Sequence, residues 1–79
     1  MKRYVIKPDG WPCTLAACPP GPFVWQDSLC FKSEYRTPEG KIEAFCDSGE
    51  FFYGGAPTEE ARGALLVQPV MLIIEEVEE

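Results

Sequence analysis

The chain has no histidine. That removes the usual base for a serine or cysteine nucleophile, and it removes the commonest neutral metal ligand. Four cysteines are present, Cys13, Cys18, Cys30 and Cys46, with gaps of four, eleven and fifteen residues between them. None of these gaps is the short C-x2-C step that supplies half of a zinc tetrahedron locally. The glycines of "GEFFYGG" (Gly49 to Gly55) are followed by neither a lysine nor a clear helix start, so they make no phosphate loop. Only seven Lys and Arg residues occur, and just Lys2, Arg3 and Lys7 lie close together, which speaks against direct binding of nucleic acid. The longest apolar run near the end, "VMLII" (Val70 to Ile74), is far too short to span a membrane. "MKRYVIKPDGW" at the start has no apolar stretch of the kind a secretory signal needs. The expected location is therefore cytoplasmic, with reduced cysteines. These residues point to no catalytic set, no metal and no cofactor, and the chain reads as a non-enzyme.

What the sequence does have is apolar and aromatic residues. Its 79 residues make one small domain, residues 1–79, and 46% of them are hydrophobic. A chain of this size buries only about 60% of its unfolded surface, so it needs a compact core, a staple or a partner. Turn residues divide it into short strand patterns. "RYVIK" (3–7) is rich in β-branched and aromatic residues and ends at Pro8-Asp9-Gly10. "FVWQ" (23–26) is a short strand, turned by Asp27-Ser28. "LCFKSEYR" (29–36) alternates, with Leu29, Phe31, Ser33 and Tyr35 on one side and Cys30, Lys32, Glu34 and Arg36 on the other. Thr37-Pro38-Glu39-Gly40 suits a tight turn, and "KIEAFC" (41–46) alternates again, which predicts a β-hairpin from Leu29 to Cys46. Ile42, Ala44 and Cys46 share its core-like face. "EFFYG" (50–54) predicts a further strand or a bulge, in which Phe52 must face away from Phe51 and Tyr53. "APTEEARG" (56–63) predicts one short helix, capped by Thr58 and closed by Gly63. In "ALLVQPVMLIIEE" (64–76), Pro69 predicts an edge strand or a bulge. The fold class is mainly β: a small antiparallel sheet or partly open barrel with at most one short helix.

"CPPGP" (18–22) is stiff and loses little entropy on ordering, so it is expected to lay an extended segment across the sheet and deliver Phe23 and Trp25 to the core. Trp11 and Pro12 are expected to cover the other side. The aromatic residues exceed what one small sheet face hides, so either both faces are covered or aromatic surface is exposed for an interaction. The expected partner contacts are Trp11, Trp25 and Tyr53 as aromatic anchors, with Lys32, Glu34 and Arg36 as rim charges. The net charge is −6, and Glu75, Glu76, Glu78 and Glu79 supply four of those charges. They read as a solvated end, or as a mimic of nucleic-acid phosphate that docks on a basic protein.

The blocks "KPDGWPC", "CPPGPF", "LCFKSEY", "DSGEFFYGG" and "LLVQPV" resemble the small accessory proteins carried by bacteriophages and prophages. That resemblance implies a protein of the bacterial host cytoplasm that occludes a host protein, as host-defence inhibitors such as anti-CRISPR proteins do. It also admits a nucleotide sponge built as a homo-oligomer, with Lys32 and Arg36 on the phosphate, and a structural virion or assembly accessory. The surplus of aromatic residues separately admits a homodimer.

Overall fold

The computed structural model describes residues 1–78 and shows an open, antiparallel six-stranded sheet with one short helix. The elements are β1 (Lys2–Pro8), β2 (Cys13–Thr14), β3 (Gly21–Trp25), β4 (Ser28–Arg36), β5 (Ile42–Cys46), α1 (Glu59–Gly63) and β6 (Leu66–Glu76). The strand order is β1-β6-β3-β4-β5, and β2 adds to β6 off this path. The sheet does not close into a barrel.

Two hairpins build its middle. In the first, Gln26 and Asp27 both adopt left-handed backbone, with φ of 47° and 62°, and Trp25 pairs with Ser28. Two successive positive φ angles match the twist of the flanking strands, so this is the tight two-residue hairpin turn. The turn therefore sits one residue earlier than the expected Asp27-Ser28, and Ser28 already belongs to β4. The second is the predicted β4–β5 hairpin, with Cys30 opposite Cys46, Phe31 opposite Phe45 and Lys32 opposite Ala44. Its register shifts between Lys32 and Arg36, where four steps along β4 meet two along β5.

β6 departs furthest from expectation. Pro69 neither interrupts it nor places it at an edge, because β6 runs unbroken over eleven residues at the centre of the sheet. The Pro69 carbonyl accepts from the Asp9 N–H at 2.9 Å, so its backbone faces the β1/β2 side. There residues 9–12 leave the ladder between β1 and β2, and the missing proline N–H costs no pairing bond.

Of the buried apolar side chains Val70 lies apart, and the main core cluster lies on one face. Phe23, Cys30, Ile42, Ala44 and Val67 present it from the sheet, and Leu15, Cys18 and Phe52 cover it. Cys13, Trp25, Cys46 and Leu65 pack around the margin. Phe23 and Trp25 both set ring edges against Phe52, with centroids 5.4 and 5.3 Å away, so the stiff "CPPGP" segment delivers both rings as expected. Phe52 comes from a segment that is not a strand: only an isolated bridge joins Phe51 to Phe45. Phe52 nevertheless turns inward while Tyr53 stays exposed, and the Phe52 N–H donating to the Ala44 carbonyl covers the β5 edge. The Thr58 hydroxyl caps α1 by accepting from the Ala61 N–H. Gly63 does not close the helix. It is the last helical residue, and Ala64 forms the C-cap in ordinary right-handed backbone. A Cβ at Gly63 would make ordinary contacts with Ala16 and Ile42, 3.5 and 3.6 Å away, so packing there does not require glycine.

Candidate binding surface

Register and alternation fix the opposite face of the sheet. Phe23, Cys30 and Cys46 face the core, so their neighbours Pro22, Val24, Leu29, Phe31 and Phe45 face outward. On β6, Val67 is inward, which turns Leu66, Gln68, Val70, Leu72 and Ile74 outward, with Tyr4 and Ile6 of β1 beside Ile74 and Leu72. This outer face is almost wholly apolar; Val70 is buried on it and the Phe51 ring sits edge-on to Phe45, with centroids 6.0 Å apart, but most of its side chains remain half-buried or exposed. Seven of the twelve exposed large hydrophobic side chains lie on it: Tyr4, Ile6, Phe31, Phe45, Leu66, Leu72 and Ile74. A contiguous exposed apolar face of this kind marks an interaction surface, whereas scattered single residues would not. The alternation within "LCFKSEYR" was legible in the sequence. The core side is the one carrying Cys30, and Phe31 is left in water.

The expected contact residues divide into three groups. Trp11 is 89% exposed in the 9–12 loop, so it covers nothing and remains available to a partner. Tyr53 is exposed and rests on Phe51, with ring centroids 4.9 Å apart. Trp25 is half-buried against Phe52 and serves the core margin. Glu34 and Arg36 are exposed on β4, and the Arg36 guanidinium donates to the Gly40 carbonyl within its own hairpin. Lys32, expected at a rim, is turned inward: its ammonium donates to the carbonyls of Leu15, Ala16 and Cys18. These carbonyls belong to the single turn that covers the core, so Lys32 holds that turn to the sheet. Glu75 forms an ion pair with Arg3 at 3.2 Å, and Glu76 stands opposite Lys2 in the ladder. Glu78 is exposed, and Glu79 lies outside the described residues. The acidic end is thus partly committed to the chain's own basic strand.

No motif in the sequence singles out Arg62, yet it is the buried charge among the described residues, 3% exposed. Its Nε donates to the Phe52 carbonyl, its Nη1 donates to both oxygens of Glu59, and its guanidinium lies 4.6 Å from the Phe51 ring centre. The Glu59 carboxylate also accepts from the Ile42 N–H at 2.8 Å. Burial pushes the Glu59 carboxyl up, but the Ile42 N–H and Arg62 outweigh it and hold it below the usual carboxylate range. The pair ties α1 to β5 and to Phe52. Glutamate and arginine three apart in a short helix resemble any exposed helical pair, so no sequence signal marks their burial.

The cysteines form two neighbouring pairs, Cys13 with Cys18 and Cys30 with Cys46, and all four are free. Burial first, and then the neighbouring thiol, pushes Cys18 and Cys30 up to about 11. Such thiols are inert packing groups at neutral pH. No cluster of three or more cysteine, aspartate or glutamate side chains able to hold a metal occurs among the described residues. No helix in them is long and apolar enough to cross a membrane.

The architecture is therefore an open antiparallel sheet that buries one face and leaves the other apolar and largely exposed. No protein-family model, no curated protein and no solved structure matches the chain.

Proposed function

We propose that the protein is a non-enzymatic binding module that docks the body of its outer sheet face, centred on Phe31 and Phe45, against a protein partner and occludes it. The observation supporting this reading is the apolar outer face, on which Phe31, Phe45, Leu66, Leu72, Ile74, Tyr4 and Ile6 stay exposed. Phe31 and Phe45 are cross-strand neighbours, and paired aromatics are the side chains that anchor interfaces. With a net charge of −6, the complementary surface is an apolar patch rimmed by basic side chains. The resemblance of the sequence blocks to phage accessory proteins points to a host protein, such as a defence effector, as the partner. The nucleotide-sponge reading loses one of its two phosphate ligands, because the Lys32 ammonium is taken up by three backbone carbonyls.

The test is affinity capture from a bacterial lysate with the wild-type chain and with Phe31→Ser/Phe45→Ser. Recovery of one protein by the wild type, and its loss with the double variant at unchanged circular dichroism, supports the reading. Equal recovery by both proteins, or no recovery by either, removes it.

A further inference from the structure

We infer that the arm formed by β1 and the distal half of β6 is a self-association surface, whose occupant is the same arm of a second copy of this chain. This rests on residues apart from the Phe31–Phe45 centre. Among the described residues, β6 beyond Pro69 pairs with β1 alone, and β1 pairs with β6 alone. Residues 2–7 and 71–76 are therefore a two-stranded ribbon on a molecule 48 Å long and 24 by 21 Å across. An isolated two-stranded ribbon is marginally stable in water. This one places Tyr4 beside Ile74 and Ile6 beside Leu72 on its outer face, all four of them exposed.

Charge identifies the occupant. Lys2 on β1 and Glu76 on β6 lie at the distal end of this outer face, whereas Arg3, Lys7 and Glu75 point to the other side, where Arg3 pairs with Glu75. The outer face is therefore positive at the tip of one strand and negative at the tip of the other. A two-fold rotation that lays β1 of one copy over β6 of its mate sets Lys2 against Glu76, Tyr4 against Ile74 and Ile6 against Leu72, each contact made twice. The surface is thus complementary to itself in shape of pattern and in sign. Pairing through the open edge of β1 is disfavoured: antiparallel β1 edges bring Lys2 and Arg3 near Lys7, and Pro8 has no N–H to give. Stacking of outer faces remains.

Sedimentation equilibrium of the whole chain tests this. The wild type is expected to dimerise, and Tyr4→Ser/Ile74→Ser to weaken association by about 100-fold through lost apolar burial. Reversing one sign with Lys2→Glu, which sets a carboxylate against Glu76 twice, is expected to weaken association by about 10-fold. Adding Glu76→Lys to that variant restores the sign pattern and is expected to restore the dimer, which a merely unfolded arm would not do. Phe31→Ser/Phe45→Ser is expected to leave the dimer intact. A monomeric wild type, a dimer indifferent to the Tyr4 and Ile74 substitutions, a Lys2 reversal that dimerises as tightly as the wild type, or a double swap that fails to restore association overturns the inference.

Discussion

The ammonium of Lys32 lies 2.8 Å from the carbonyl oxygen of Leu15 and also takes the carbonyls of Ala16 and Cys18 as acceptors. A residue in the middle of a strand thereby holds the turn that, together with Phe52, roofs the core. Lys32→Met keeps the stem and removes the donors. It is expected to lower unfolding free energy by about 2 kcal/mol, since hydrogen bonds to a charged group are among the stronger ones. Urea denaturation reads this directly, and an unchanged midpoint would show that water replaces the ammonium without loss.

Among the glycines, Gly54 is the one whose added Cβ meets the tightest contacts. Its φ of 64° favours glycine, and a Cβ there would collide with Leu65 and lie 3.1 Å from Phe52. Gly54→Ala is expected to destabilise by about 3 kcal/mol from strain and overpacking. The neighbouring Gly55, with φ of 68° and open space around it, isolates the backbone part of that cost, so Gly55→Ala should cost about 1 kcal/mol. Thermal melts of the two variants separate the contributions.

The buried thiols make stability fall in alkali. A thiol held at about 11 stays protonated while the unfolded chain ionises from about pH 8.5, so the stabilisation is complete below that pH. It is lost as pH rises towards 11. Melting temperature should decline over this window, and less steeply in Cys18→Ala/Cys30→Ala. At pH 8, alkylation of Cys18 and Cys30 in the folded chain should run about 100-fold slower than for a free cysteine peptide, measured by mass spectrometry of digests.

At the acid end, Glu59 sets the direction. Its carboxyl is held below the ordinary range by the Ile42 N–H and by Arg62, so the stability it adds is present above about pH 4.3 and is lost as pH falls through the depressed value. Glu59→Gln should flatten the acid limb of the stability curve. It should also destabilise the neutral protein by about 3 kcal/mol, because it leaves the Arg62 charge buried without its partner.

Local chemistry carried the elements that the sequence made legible. The β4–β5 hairpin, the Thr58 cap, the inward Phe52 and the delivery of Phe23 and Trp25 each follow from a turn, a cap or an alternation within a few residues. What could not be read depends on pairing between distant segments. Pro69 suggests an edge to any local reading, and only the departure of residues 9–12 from the ladder makes it harmless at the centre of the sheet. The inner and outer sides of β4 are equally consistent with its alternation. The choice was made by Cys30 meeting Cys46 and Phe23, so Phe31 ended outside. Lys32 and Arg62 look like surface charges in sequence because their acceptors, the carbonyls of residues 15–18 and of Phe52, come from elsewhere in the fold.

The position of β6 also constrains how the molecule comes into being. β1 is made first, yet its partner on the ladder is made more than sixty residues later, and β3 waits for the same strand. On a ribosome, the β3–β4–β5 meander emerges able to pair with itself, while Tyr4, Val5 and Ile6 hang unpartnered until residues 70–76 clear the exit tunnel. Such long-range closure is slow compared with hairpin formation. The interval before β6 arrives is when this chain is most exposed to misassembly, and it is when a chaperone would find it.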